Sequence, residues 1–356
     1  MGIDHMLSCL ELYFTFHQFT LSISSLRLQA VRMSSQRPTF SRDQITKYFE
    51  RLQLPEVNRV YHVAGLDPKA ALEYLTLLQK LHLVAIPFEN LTLHYSAHHQ
   101  ISLHPDELFK KVVTDDNGRG GYCMENNCLL GTLLRSLGFV LFSGGARVFD
   151  DGEWTGWWVG IYSIDSTRLM SSRTHMVNIV RIGDSKYQVD VGFGGNGPVV
   201  PMPLDRSGPI QKHIKPATAR LQYQNITGST DPDQRIWVYQ HRMDESSDFQ
   251  TTYCFSELEF LPNDYAMMNY FTSTSMRTFF TRVIVGVKKQ LGDDGELAGT
   301  LILGNNDIKW RIHGKTERQI KFESEDDRIN ALEVHFGIKL TAMERDGIRG
   351  LPSEIK

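Results

Sequence analysis

The sequence predicts an α+β fold in three successive parts, and three observations carry that prediction. Up to Gly138 the apolar residues recur at helical spacing. After Gly138 the texture changes to short β-branched or aromatic runs bounded by Gly, Asp or Pro, and the C-terminal part mixes both patterns. The 356 residues suggest two or three domains, and 41% apolar against 22% charged residues leaves enough material for a core without disulfide or metal staples. The expected division is 1–37, 38–138, 139–245 and 246–356.

Residues 1–37 read as a disordered or mis-assigned extension. Glu11, His17 and Gln18 interrupt the apolar run from Met6 to Leu26, which lacks the basic flank and small-residue cleavage site of a secretion signal; Met33 is an alternative start. Ser41 caps a helix over Arg42–Arg51, in which Ile45, Tyr48, Phe49 and Leu52 share a face. Asp67 and Pro68 open a second helix with Leu72, Leu75, Leu78 and Leu81 along one side. A short helix follows over Pro105–Val113. After the Gly-rich turn Asn117–Gly121, a helix over Cys123–Leu137 carries a leucine stripe and is stopped by Gly138. Strands are expected over Phe139–Phe142, Trp157–Tyr162, Met176–Ile182, Tyr187–Val191 and Arg235–Gln240. A three-stranded meander over Phe279–Lys288, Thr300–Leu303 and Ile308–His313 then leads into a helix over Asp326–Phe336.

Composition excludes several functions. With 38 Lys plus Arg against 41 Asp plus Glu and no basic run, the chain lacks the electrostatic footprint of a nucleic-acid binder. The sequence contains no apolar run long enough for a membrane span. Four scattered cysteines fit a reducing, intracellular compartment, and no second Cys or His pair follows Cys123 and Cys128 at zinc-site spacing.

Chemistry concentrates at Arg119-Gly-Gly-Tyr-Cys-Met-Glu125. Two glycines allow a tight turn, and Cys123 then begins a helix, where unpaired backbone N–H groups and the helix dipole favour a thiolate. The alternative is an inert buried cysteine, the better description of Cys128. A nucleophile needs a base and the base an orienting group. In the hairpin His175–Asp190, which turns near Gly183 and Asp184, a two- or four-residue loop puts Asp190 on the same face as His175. An Asp inside an apolar strand is costly unless partnered. Gly192-Phe-Gly-Gly-Asn-Gly197 fits a dinucleotide fingerprint, but Pro198, Pro201 and Pro203 forbid the helix that must follow. It is better read as a rigid loop whose amides can receive a phosphate or carbonyl oxygen. Glu89, in the apolar Ile86–Leu91 stretch, needs a cation, and Arg119 can supply a bidentate one. Trp154, Trp157 and Trp158 suit core packing more often than an aromatic-binding pocket.

Four segments, Ile86–Leu91, Arg119–Glu125, His175 and Val189–Pro198, together resemble the arylamine N-acetyltransferases in content and order, with similarity from about Phe40 to Leu340. The resemblance implies a helical bundle, a β-barrel and an α/β lid around a cysteine-protease-like core, with a Cys-His-Asp triad mapping to Cys123, His175 and Asp190. It implies ping-pong transfer of an acetyl or malonyl group from acetyl-CoA or malonyl-CoA to an arylamine, hydrazine or similar aromatic amine, in a cytoplasmic enzyme of xenobiotic metabolism with no permanently bound cofactor. The Cys123 N–H becomes an oxyanion donor and Phe193 a contact for the acceptor. Gly194, Gly195, Asn196 and Gly197, with Thr272, Ser273, Thr274 and Ser275, resemble the region that meets the coenzyme. The sequence departs from the family pattern in an apparent insertion over Asp150–Ser172 and in Met276, where many relatives carry Pro. Arg147 and Arg173 are the cations considered for a malonyl carboxylate. A hydrolase using the same triad, and a non-catalytic binder of coenzyme A, are the competing readings.

Overall fold

The computed structural model describes residues 37–150, 152–155, 174–276 and 278–356. Residues 1–36, the strand expected over Trp157–Tyr162, most of the apparent insertion, and Arg173 lie outside them. Phe40–Lys356 is one compact unit.

The helical part is built by local signals. Helix α1 (Arg42–Arg51) starts with a reciprocal cap, Gln44 N donating to Ser41 Oγ and Ser41 N to Gln44 Oε1. Asp67 caps α2 (Pro68–Ala85) through Ala70 N at 2.9 Å. A two-residue strand β1 (Phe88–Glu89) follows, then α3 (Pro105–Phe109), which continues as a wide turn through Thr114. Helix α4 (Cys123–Ser136) buries Leu129, Leu130, Leu133 and Leu134. Each such side chain contributes roughly 1.5–3 kcal/mol by leaving water. Gly138, at φ +87°, ends the helix in a conformation that a side chain disfavours.

The second part is a sheet of nine strands among the described residues, in the order β6-β5-β4-β2-β10-β9-β8-β7 with β3 paired to β2. The strands are β2 (Val140–Asp150), β3 (Glu153–Trp154), β4 (Thr174–Ile182), β5 (Ser185–Val189), β6 (Met202–Pro203), β7 (Gln211–Lys212), β8 (Thr218–Gln224), β9 (Ile236–Arg242) and β10 (Gln250–Phe255). The sheet curls until β6 comes back beside β8, giving a nearly closed barrel. Two sequence expectations need correction. Strand β2 does not stop at Phe142 but runs through Gly144 and Gly145. These glycines admit the 256–260 segment, since a Cβ at Gly145 would sit 2.3 Å from the Phe260 ring. The sheet also extends past the boundary drawn at 245, because β10 inserts between β2 and β9.

The C-terminal part opens with α5 (Pro262–Thr274). Four antiparallel strands follow, not three: β11 (Gly286–Leu291), β12 (Leu297–Leu303), β13 (Asp307–Ile312) and β14 (Lys315–Lys321), with β1 joining on the β11 edge. Residues 279–285, expected in the first of these strands, instead form a turn that buries Phe280 edge-on against Tyr122 and Phe88. Two short helices, α6 (Glu325–Ala331) and α7 (Ala342–Asp346), complete the unit. Among the described residues no helix is long and apolar enough to cross a membrane.

Candidate active site

The turn before Cys123 is laid against the segment leading into β1. Gly121 N donates to Pro87 O and Glu89 N to Gly121 O, while a Cβ at Gly120 would overlap the Pro87 carbonyl at 1.9 Å. Charge then locks the turn. Arg119 donates from Nε to Glu89 Oε1 at 3.0 Å and from Nη2 to Glu89 Oε2 at 3.4 Å, and reaches Thr92 and Glu344 as well. Lys111 donates to Glu125 at 2.7 Å, and Glu125 accepts from Tyr122 N at the start of α4.

Burial alone would raise the Glu89 carboxyl, but Arg119 and Lys111 outweigh it and hold it at about 2. For Glu125 burial prevails over Lys111, and its carboxyl is raised. A depressed carboxylate contributes stability above its unfolded range and loses it as pH falls through the folded value. The Glu89 contribution is therefore expected to disappear between about pH 4.5 and 2. Arg119→Met leaves buried Glu89 without its main counter-charge and is expected to cost about 3–5 kcal/mol at pH 7. Urea midpoints at pH 7 and pH 3 check both points: the gap between variant and wild type should narrow at the lower pH.

The hairpin β4–β5 pairs Ile182 with Ser185 around a two-residue turn, so Asn178 faces Val189. Continuing that register places Asp190 next to Val177, diagonal to His175 on the same face. There His175 Nε2 lies 2.7 Å from Asp190 Oδ2, and both side chains are buried. Asp190 collects three further donors: Tyr253 OH at 2.9 Å on Oδ2, and Asn127 Nδ2 at 2.9 Å and Gly192 N at 2.8 Å on Oδ1. Burial would raise this carboxyl, yet His175, Asn127 and Gly192 together lower it, so it is held ionised.

Asn127 and Tyr253 are residues of this candidate site that the sequence reading missed. Asn127 sits one turn beyond Cys123 and ties α4 to Met176 O, Asp190 and Val191 N. A polar side chain just ahead of the leucine stripe of a buried helix was the available signal. Tyr253 lies in β10, orders its hydroxyl by accepting from Gln188 Nε2, and packs its ring near His175 and Phe193. Nothing local marks it.

Cys123 is 3% exposed, and its Sγ lies 3.6 Å from the carbonyl of Thr174, the residue before His175. Gly192 makes this approach possible, since a Cβ there would fall 2.6 Å from Cys123 Cα. The electrostatics correct the expectation from the helix terminus. Burial, reinforced by Asp190, pushes the Cys123 thiol well up, while the N–H groups of Met124 and Cys123 pull it down by less. A thiolate here therefore requires a nearby cation or a base that removes the proton during reaction.

The other sequence-selected residues divide. Phe193 lies edge-on to His175, with ring centroids 5.2 Å apart, and the 194–197 loop follows it beside this pair. Thr272 is buried against Thr174, their hydroxyls 3.2 Å apart. Ser273 and Thr274 instead turn their hydroxyls back onto α5 carbonyls, and Ser275 ends the helix. Trp154 packs on Phe149; Trp157 and Trp158 lie outside the described residues. Arg147 is in register with Thr174 and Cys254, so its side chain leaves the sheet on the face opposite His175. It lines a separate cavity of about 430 Å³ with Arg235 and Phe260.

The N-acetyltransferase family model matches residues 71–345. The N-malonyltransferase FDB2 of Gibberella moniliformis is 35% identical over 336 residues, covering 88% of this chain and 93% of that protein. The structure of Mycobacterium marinum arylamine N-acetyltransferase in complex with CoA superposes with a TM-score of 0.66 at 25% identity, covering 87% of this chain and 99% of that one. The arylamine N-acetyltransferase of Salmonella typhimurium has the same fold, with a TM-score of 0.67 at 24% identity over 87% and 98%.

Proposed function

This chain belongs to the arylamine N-acetyltransferase family and is an N-acyltransferase, and from that premise we propose that it carries an acyl group from acyl-coenzyme A to an aromatic amine or hydrazine through a thioester on Cys123. The observation that carries this reading is the contact of His175 Nε2 with Asp190 Oδ2 beside the buried sulfur. With Nε2 committed to Asp190, Nδ1 is the nitrogen left to act on the thiol.

In the first half-reaction His175 Nδ1 takes the thiol proton as Sγ attacks the thioester carbonyl. The tetrahedral oxyanion forms near the start of α4, where the Cys123 N–H is a donor. The bond to the coenzyme sulfur breaks, and the proton on His175 leaves with coenzyme A. In the second half-reaction the amine nitrogen attacks the enzyme thioester and His175 accepts its proton. The amide departs and that proton returns to Cys123. Asp190 stabilises the imidazolium in both halves and holds the useful tautomer. Phe193, beside the imidazole, is the contact proposed for the aromatic acceptor, and the 194–197 loop with Thr272–Ser275 that for the coenzyme.

For the donor, similarity to an N-malonyltransferase across nearly the whole chain supports malonyl-coenzyme A over the acetyl thioester. Arg147 does not support it, since its strand register turns it away from His175.

Intact mass after brief exposure to malonyl- or acetyl-coenzyme A without acceptor tests the whole reading. One malonyl increment, mapped to the Cys123 peptide and discharged by an arylamine, is expected. An acetyl increment alone would reverse the donor assignment. Coenzyme A release at full rate without amine would favour a hydrolase, and absence of any increment would overturn the thioester.

A further inference from the structure

The loop that follows Asp190 is gripped from behind at three consecutive carbonyls. Lys289 Nζ, from β11, donates to Gly195 O at 2.5 Å. Tyr239 OH, from β9, donates to Asn196 O at 3.1 Å. His213 Nε2, just after β7, donates to Gly197 O at 2.9 Å. The three donors come from different segments of the chain and are buried. Burial, with Arg311 adding, brings the Lys289 amine down to about 7, and burial beside Lys289 and His241 keeps His213 neutral. Both serve as N–H donors to the loop carbonyls.

The carbonyls of Gly195, Asn196 and Gly197 are turned onto these donors, Gly197 N–H closes a turn onto Gly194 O, and among the described residues the backbone N–H groups of 193–196 have no hydrogen-bond acceptor. Gly194 passes through φ +93°, and a Cβ at that position would meet the Phe88 ring and Val287 at ordinary contact distance. Strand β11 thus meets both β1 and the loop: Val287 pairs with Phe88, and Lys289 grips Gly195. A run of unused amides on a glycine-rich turn is a receptor for anionic oxygen, provided that something holds its shape.

We propose that Lys289, Tyr239 and His213 are positioning residues that hold the 193–197 loop in its donor-receiving shape, so that the C-terminal sheet and the barrel together set the affinity for acyl-coenzyme A. This rests on the acyl-transfer reading above. None of the three touches the reacting atoms; each acts through a loop carbonyl.

Single-turnover acylation measured across donor concentration tests it. Lys289→Met, which keeps bulk but removes the donor, is expected to raise the apparent donor Kd about 10-fold, and Tyr239→Phe about 3-fold, with the maximal acylation rate within about twofold. Lys289→Gln, which retains an N–H without the charge, should recover most of the loss. The proposal is overturned if Tyr239→Phe and Lys289→Met bind donor like wild type, if Gln is no better than Met, or if maximal rate falls at unchanged Kd. Should Lys289→Met not fold, Tyr239→Phe decides, since its ring keeps the stack on Tyr253. Wild-type protein that never acquires an acyl group on Cys123 would instead sink the acyl-transfer reading, which keeps the two failures apart.

Discussion

Cys123→Ala protein is expected to take up no acyl group from acyl-coenzyme A and to lose turnover by at least about 10⁴-fold, the scale on which removal of a catalytic nucleophile acts. The two other described cysteines offer no substitute. Cys254 is buried in β10, in register with Arg147 on the face away from His175. Cys128 faces the Met176 sulfur at 4.0 Å, on a different side of α4 from Cys123. Among the described residues only Cys123 combines a helix start, the Gly192 contact and a sulfur against the Thr174 carbonyl, next to His175. Alanine fits the same space, and α4 keeps its leucine face, so circular dichroism and thermal midpoint should stay close to wild type. An adduct that moves to Cys128, or activity within tenfold of wild type, would refute a thioester at this position.

Asp190→Asn should be nearly as damaging, by about 10⁴-fold in acylation, for a reason that can be followed atom by atom. Asp190 Oδ1 receives two N–H donors, from Asn127 and Gly192. In the variant the amide oxygen must stay there, because an NH₂ group facing two donors would leave all of them unsatisfied. The NH₂ then occupies the Oδ2 position, opposite His175 Nε2 and Tyr253 OH. Nε2 becomes an acceptor, the imidazole proton moves to Nδ1, and the nitrogen that should take the thiol proton already carries one. Negative charge is lost as well, so the imidazolium is no longer stabilised. Rapid-quench acylation measures the effect. A loss below about tenfold would show that Asp190 does not set the tautomer, since the variant is close to isosteric and leaves the packing intact.

The two substitutions probe different depths of the site. Removal of Cys123 deletes the proposed acyl carrier, whereas Asp190→Asn leaves the heavy-atom positions nearly in place, moves the imidazole proton and removes one negative charge. Arg119→Met acts at a third level: its expected effect is on stability, because Arg119 touches Glu89, Thr92 and Glu344 but not the sulfur. Measured side by side, the three should separate chemistry, proton placement and scaffold.

Nearest-neighbour physics made part of this protein legible from its residues. The Ser41 and Asp67 caps, the leucine stripe of α4 and the Gly138 stop depend on contacts within a few residues, where periodicity and turn chemistry are decisive. The same holds for the parity of the β4–β5 hairpin, which places Asp190 on the face of His175. Glu89 with Arg119 was legible for a related reason, since a carboxylate in an apolar stretch demands a cation. What folding alone decided is long-range. Strand β10 has no strong alternation and forms because β2 and β9 offer it hydrogen-bonding edges, and so Tyr253 reaches Asp190 from 63 residues away. Lys289 meets Gly195 across 94 residues, and no local pattern encodes that meeting. The state of the Cys123 thiol belongs to the same class. The helix terminus favours ionisation, but burial is set by everything packed around the sulfur, and in a low-dielectric interior it outweighs the dipole.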